Sequence, residues 1–312
     1  MPRNQKQNKW EKLLGEEARE KGKIIERHPE YLCLDHKDQA FIHNDCQELS
    51  KAMPLFRESD LQNTLELLIT FHCKAHSMSY FSGLHQVIAP FFLMHFTTIR
   101  TSYGAFSVFL ERMMPRMFHK NLHSFQVFQK LLMYHDPILS STLQGTFPSH
   151  QSIIENWINT CLASCLEISQ LLNLWEYCLR ENNPSFTVFF AVASLMKHRD
   201  KLMAKKRKPK LEIPDLEEFY LVMQEAKNLQ QETPRCFVKL TKNLLNKPQH
   251  PSPYEESIIE NSVVLPVSEK EVVQPKNTTF VIDLRKSHKF KKGHYPEAFN
   301  IPCDLELSTG KF

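Results

Sequence analysis

With 312 residues, 42% of them hydrophobic and 22 of them Phe, the chain has enough apolar material for one large folded unit or two smaller ones. Its 7 glycines fall far short of the roughly 20 that an average usage of about 7% would give. That scarcity argues against glycine-consuming nucleotide-binding α/β folds and β-sandwiches and favours a helical body. The formal charge of +4 is too small to call for a nucleic-acid partner, because the basic residues are mixed with acids.

Residues 1–14 are polar and lack the apolar core of a signal peptide. The longest apolar stretches, 87–94 and 188–196, are far shorter than the ~18–20 residues of a membrane span. The eight cysteines have no framework spacing, so reduced thiols in a cytoplasmic protein are expected.

Trp10, Leu13 and Leu14 have helical spacing, and Gly15 reads as a helix stop. Residues 20–45 are mixed, with loops at His28-Pro29 and Asp35-His36. From Asp60 the pattern turns strongly helical, with Leu61, Leu65, Leu68, Ile69 and Phe71 on one face. Apolar helical blocks follow over 84–98, 103–118, 123–134, 151–165, 166–180 and 184–199, and Pro90, Pro115, Pro148 and Pro184 mark kinks or starts. Cys161 and Cys165 fall in such a block and read as core thiols. Short connections fit a bundle of antiparallel neighbours.

The basic run Lys205-Lys206-Arg207-Lys208-Pro209-Lys210 reads as a solvated loop, with a membrane-surface or acidic-partner patch or a nuclear signal as the sharper alternatives. Two more helices are expected over 214–229 and 234–246. Residues 247–276, rich in Pro, Ser and Glu, read as an extended linker. Beyond it Thr279-Phe280-Val281-Ile282-Asp283 is the first convincing strand.

Residues with catalytic potential are sparse. His72 and His76 have metal-ligand spacing, but no third ligand and no intervening Glu of the zincin kind accompany them, so no metal is expected. Asp45, Glu48 and Glu58 are too dispersed for an acid/base pair. No phosphate-binding glycine loop or nucleophile elbow occurs, and no cofactor is expected.

Four motifs carry a resemblance. Trp10-x-x-Leu13-Leu14-Gly15 is similar to the opening of TBC domains, the family of Rab GTPase-activating proteins. Ile42-His43-Asn44-Asp45 resembles the start of that family's I-x-x-D-x-x-R. Tyr80-Phe81-Ser82-Gly83-Leu84 with Ala89-Pro90 resembles its Y-x-Q-G-M and trailing A-P. Trp157 followed by Leu174-Trp175-Glu176 resembles its W…L-W-D. Active members supply an arginine and a glutamine to GTP on a Rab protein. The resemblance puts Glu48 at the arginine position and Ser82 at the glutamine position. An arginine finger contributes about 10³–10⁵ in rate, or roughly 4–7 kcal/mol of barrier. A carboxylate there would repel the developing charge, so the resemblance implies a domain that does not accelerate GTP hydrolysis. Gln86, one turn beyond Ser82, and Gln47, beside Glu48, are the residues through which a displaced catalytic arrangement would have to work.

The tail has a second resemblance. Val281-Ile282-Asp283-Leu284-Arg285, Phe290, Gly293-His294 and Asn300-Ile301-Pro302 are similar to the opening of rhodanese domains. Rhodanese chemistry needs a cysteine thiolate in a later loop, and Cys303, directly after Asn-Ile-Pro, is not at that position. The fold class implied is an all-α TBC-type helical domain over 1–246 and a linker over 247–276, followed by a short truncated α/β rhodanese-like segment over 277–312. A TBC domain followed by rhodanese occurs in two subfamilies. One is that of TBC domain family member 23, a trans-Golgi tether, and the other is a kinase-like group with a pseudokinase ahead of the TBC domain. The segments 42–46 and 69–74 look closer to the first, and no kinase precedes Trp10. This resemblance implies a non-catalytic adaptor that binds coiled-coil golgins or a Rab GTPase in endosome-to-Golgi traffic. It would be cytoplasmic and peripheral at the trans-Golgi network and vesicles, with Lys205, Lys206, Arg207 and Lys208 as a membrane contact.

Overall fold

The computed structural model describes residues 3–94, 98–115, 123–146, 150–203, 216–246, 252–262, 264–273 and 280–302. The basic run 205–210 and Cys303 lie outside them, as do Pro148, Pro214 and Thr279. The chain divides into two compact units, Met1–Pro266 and Val267–Phe312.

The first unit is helical. Its elements are α1 (Arg3–Gly22), α2 (Ile24–Arg27), α3 (Gln39–Ala52), α4 (Ser59–Ala75), α5 (Leu84–Met94), α6 (Ile99–Met113), α7 (Ser124–His135), α8 (Pro137–Thr146), α9 (His150–Asn159), α10 (Ile168–Arg180), α11 (Phe186–Lys197), α12 (Arg199–Met203), α13 (Leu216–Glu232), α14 (Arg235–Asn246) and α15 (Pro253–Asn261). Among the described residues, no helix is long and apolar enough to cross a membrane.

Helix α1 does not stop at Gly15. It kinks there, at φ 60° and ψ −151°, and resumes to Gly22. The resumed half lies close against α6. A Cβ on Gly104 would come within 1.9 Å of the Ala18 carbonyl oxygen, and one on Gly22 within 2.5 Å of the Arg100 carbonyl oxygen. Two of the few glycines are therefore placed where the helix backbones meet.

An aromatic chain fills the core between these helices. Trp10 meets Phe91 edge-on at 5.9 Å, Phe91 stacks on Trp175 at 5.6 Å, and Phe109 lies 4.2 Å from Trp175. Rings of this size remove about 150–250 Å² each from water, a gross gain of roughly 4–6 kcal/mol apiece at about 25 cal/mol per Å². The motif tryptophans Trp10 and Trp175 are thus buried packing residues.

The helix expected over 151–165 ends at Asn159. Cys161 (φ 48°) and Leu162 (φ 70°) turn the chain in the left-handed region, and the Leu162 amide donates to the Trp157 carbonyl at 2.6 Å. This turn aims the Cys161 carbonyl at the Trp175 indole N–H, 2.9 Å away. Further along, Asp136 caps α8 through the Leu139 amide at 2.9 Å and pairs with Arg199 at 2.7 Å, fastening α12 to the bundle.

Two further expectations need correction. Residues 39–52 form a regular helix, α3, because Ile42, Cys46 and Leu49 share a face that is buried in the core. Residues 253–261 are not extended linker but the helix α15. Ser252 and Glu255 form a reciprocal capping box, with Pro253 at the first helical turn. Ile259 and Leu265 are buried in the helical core. The helical unit therefore runs past residue 246 to Pro266. Ser252 and Pro253, part of the content that suggested a linker, mark a helix start instead, while residues 247–251 and 274–276 of that stretch lie outside the described residues.

The second unit holds α16 (Glu269–Val273), β1 (Ile282–Asp283), α17 (Ser287–Lys292) and β2 (Phe299–Asn300). The two strands pair in parallel, Ile282 with Phe299 and Asp283 with Asn300, with α17 as the crossover. Parallel pairing across a connecting helix is the βαβ arrangement.

Candidate functional site

Helix α3 and the loop over residues 76–83, which leads into α5, bring most of the singled-out residues together. On α3, Ile42, Asp45 and Glu48 are spaced by three. Ile42 is fully buried and fixes the helix's rotation, so Asp45 sits half-buried at the rim and Glu48 is exposed. Asp45 Oδ2 accepts two hydroxyl hydrogen bonds, from Tyr80 at 2.7 Å and from Ser82 at 2.8 Å. The Tyr80 oxygen is in turn 2.9 Å from His85 Nδ1, which also lies 3.4 Å from Asp45 Oδ2. With the phenol donating to Asp45, the imidazole N–H at Nδ1 donates to the phenol oxygen.

Burial and the Asp45 carboxylate both push the Tyr80 hydroxyl up, so it stays protonated. Burial also lowers the pKa of His85, with Asp45 opposing, and the ring is held neutral. The cluster is a closed set of neutral donors around one carboxylate.

Asp38 and Gly83 help to hold the loop in place. The Tyr80 amide donates to Asp38 Oδ2 at 2.9 Å. Gly83 has φ +105°, and a Cβ there would meet Thr160 Cγ2 at 2.7 Å, so this position needs glycine for both conformation and space.

Glu48 takes no part in the cluster. It pairs with Lys51 one turn on at 2.5 Å, with both side chains about 70% exposed, an arrangement worth little in stability. Gln47 donates to His43 Nε2 at 2.8 Å, and His43 Nδ1 donates to the buried Glu66 at 2.9 Å. Gln86 is half-buried, and among the described residues its Oε1 has no hydrogen-bond partner. His85, Asp38 and Thr160 escaped the sequence reading. A histidine five residues after Tyr80 was the only local signal, and the other two depend on tertiary packing.

The His72 and His76 rings lie 4.4 Å apart between centres, tilted by 46° to each other. His72 is buried against Phe106 and lies 3.3 Å from the Tyr103 hydroxyl. Burial lowers its pKa well below the ordinary value. In the second unit, Asp283 grips Arg285 through both carboxylate oxygens at 2.6–3.0 Å, and Arg285 also donates to the Gly293 carbonyl at 2.8 Å. His294 stacks on Phe290 at 3.8 Å and donates to its carbonyl. Asn300 donates to the carbonyls of Asp283 and Arg285, which ties β2 to the turn after β1. Asp283, Arg285, Gly293 and His294, together with Asn300, knit the βαβ turn together.

Comparison with known proteins agrees with this frame. The Rab-GTPase-TBC domain model matches residues 4–203. The TBC domain-containing protein kinase-like proteins of Homo sapiens and Mus musculus are 31% identical over 132 residues, 40% of this chain and 14% of theirs. That of Dictyostelium discoideum is 23% identical over 236 residues, 71% of this chain and 22% of its own length. The matched part of the chain therefore spans less than a quarter of these relatives. Their name is that of the second subfamily weighed above, not that of TBC domain family member 23. Among solved structures, the Ypt/Rab-GAP domain of Gyp1p superposes with a TM-score of 0.60 at 17% identity, covering 74% of this chain and 89% of that one. The Chlamydomonas flagellar RabGAP TBC domain gives 0.54 at 14%, covering 77% and 80%. Helix order, the buried motif tryptophans and a family match over well over half the sequence converge: the chain belongs to the Rab-GTPase-TBC domain family.

Proposed function

We propose that this TBC domain binds its partners without accelerating GTP hydrolysis, and that it serves as an adaptor or tether. The observation that carries the reading is the pair Glu48 and Ser82. At the position where the family resemblance expects an arginine, Glu48 presents an exposed carboxylate already paired with Lys51. At the glutamine position, the Ser82 hydroxyl is spent on Asp45. A transferring phosphoryl group would meet negative charge from Glu48 where the reaction needs positive charge. The frame around the pair is nonetheless intact, with Tyr80 and Gly83 locked in place, which supports retention of a binding surface.

On this reading the partners are a Rab GTPase or the tips of coiled-coil golgins, in endosome-to-Golgi traffic at the trans-Golgi network and vesicles. The run 205–208 would add electrostatic attraction to anionic lipid. The parallel βαβ turn with Asp283, Arg285, Gly293 and His294 reads as the opening of a rhodanese-type segment. With Cys303 directly after Asn300-Ile301-Pro302, sulfur transfer is not part of the proposal. The likeness of segments 42–46 and 69–74 favours the tethering subfamily of TBC domain family member 23, whereas the relatives' name favours the kinase-like one.

The competing reading is an active GTPase-activating domain with displaced residues. It draws on Gln86, whose Oε1 is left without a hydrogen-bond partner among the described residues one turn from Ser82. The test is GTP hydrolysis by a panel of purified Rab proteins with this chain, alongside Glu48→Arg/Ser82→Gln. The native chain should leave every intrinsic rate unchanged. Acceleration of a single Rab by about a hundredfold, well within the reach of an arginine finger, would replace this reading with the second, and Gln86→Ala would then abolish the effect.

A further inference from the structure

Lys74 on α4 and Cys33 in the loop before α3 form a cluster that the site above does not use. Lys74 Nζ lies 2.8 Å from Cys33 Sγ and pairs closely with Asp35. The thiol has two acceptors of its own, the Glu30 carbonyl at 3.0 Å and Asp35 Oδ1 at 3.2 Å. The lysine side chain is about 19% exposed and lies over the Tyr31 ring, so its amine is held in place rather than sweeping through solvent. Cys46, Cys73, Cys161 and Cys178 are enclosed in the core, whereas Cys33 is half-buried and open to a small oxidant.

The loop that carries Cys33 also supports the site. His36 Nε2 lies 3.1 Å from the Met78 carbonyl, Lys37 donates to Ser79 at 2.7 Å, and Asp38 accepts the Tyr80 amide at 2.9 Å. Cys33 and Lys74 therefore stand where one bond would clasp this loop to α4.

We propose that Cys33 and Lys74 are an oxidative modification site, at which hydrogen peroxide links sulfur and nitrogen through one inserted oxygen atom. The first peroxide transfers an oxygen to the thiol, giving a sulfenic acid and one water. The ammonium of Lys74 loses a proton to solvent by way of Asp35. The N–O bond then forms as one hydrogen leaves the amine and one leaves the sulfenic acid, and the second peroxide takes up those two hydrogens and their electron pair as two waters. Sulfur and nitrogen each give up two electrons, and thiol, ammonium and two peroxides become bridge, three waters and a proton. The observed separation suits a single bridging atom, since a direct sulfur–nitrogen bond would require the two groups to close up further. The inference rests on side-chain geometry alone and stands whether or not the domain binds a Rab.

The experiment treats the full chain with hydrogen peroxide, blocks free thiols, digests without reductant and reads peptides by mass spectrometry. The expected product joins the Cys33 and Lys74 peptides at their summed mass plus one oxygen and minus two hydrogens. Dithiothreitol should remove it, and it should be missing from Cys33→Ser and from Lys74→Arg, which keeps the charge facing Asp35. Oxidised native chain should also melt higher by about 5 °C, as a cross-link closing a long loop does, and Lys74→Arg should show no rise. Sulfinic or sulfonic acid at Cys33 with Lys74 unlinked, an unmodified Cys33, or a linked mass without the added oxygen would each overturn the proposal.

Discussion

Ser82 and Tyr80 donate to the same oxygen, Oδ2 of Asp45, at 2.8 and 2.7 Å, but the two bonds differ in worth. Ser82 is exposed, and water can replace its hydroxyl. Tyr80 is half-buried and also accepts from the buried His85.

Tyr80→Phe should therefore destabilise the domain by about 1–3 kcal/mol, because it leaves buried groups short of partners. The 3.4 Å approach of His85 to Asp45 allows partial recovery, which favours the lower half of that range. Ser82→Ala should cost less than about 1 kcal/mol. Urea unfolding of the two variants measures both values, and equal losses would mean that Ser82 is buried by some partner in solution.

Gly83→Ala strains the backbone at φ +105° and drives the new methyl into Thr160 Cγ2. The expected loss is about 1–3 kcal/mol. Thr160→Ser removes the clashing methyl but not the backbone strain. In a double-mutant cycle it should recover part of the loss, and full recovery would show that φ is not the constraint.

Much of this architecture was legible in the sequence because its cause is local. Leu65, Leu68, Ile69 and Phe71 mark α4 by spacing alone, and the β-branched run before Asp283 marks β1. What stayed hidden depends on distant partners. Helix α3 has an ordinary polar sequence, and only Ile42, Cys46 and Leu49 meeting the core make it regular. The Cys161–Leu162 turn looks apolar and helical, but the Trp175 indole claims the Cys161 carbonyl. The site itself was half legible. Asp45, Tyr80, Ser82 and Gly83 followed from motif likeness, whereas Asp38, His85 and Thr160 are joined to them only by the fold.

Acid should weaken the domain through its buried histidines. Burial lowers His72 well below 6.5, and burial also lowers His85. In the unfolded chain both take up a proton as pH falls below about 6.5, while in the folded chain burial makes each resist that proton, His72 the more strongly. Their contribution to stability is thus complete above that pH and declines below it, by up to about 1.4 kcal/mol per pH unit for each. His72→Phe keeps a ring against Tyr103 and Phe106 and should flatten the decline between pH 6.5 and 5 in chemical denaturation. An unchanged slope would assign the acid sensitivity to other groups.

The C-terminal limit of the helical unit gives the last prediction. Ser252 accepts the Glu255 amide, Glu255 reaches back to the Ser252 amide, and the capped helix sets Ile259 into the core at 1% exposure. Lys130, itself largely buried, donates to the Ser262 carbonyl and ties the end of this helix to α7. Burial lowers the Lys130 pKa, so this bond also offsets part of the ammonium's desolvation. Ser252→Ala should cost about 1 kcal/mol as a lost cap, and Ile259→Ala about 2–4 kcal/mol as a core cavity. A chain ending at residue 246 should then unfold at lower urea than one ending at 266, because it lacks the helix that covers α7. Equal midpoints would return residues 253–261 to the role of linker and place the edge of the folded domain at α14.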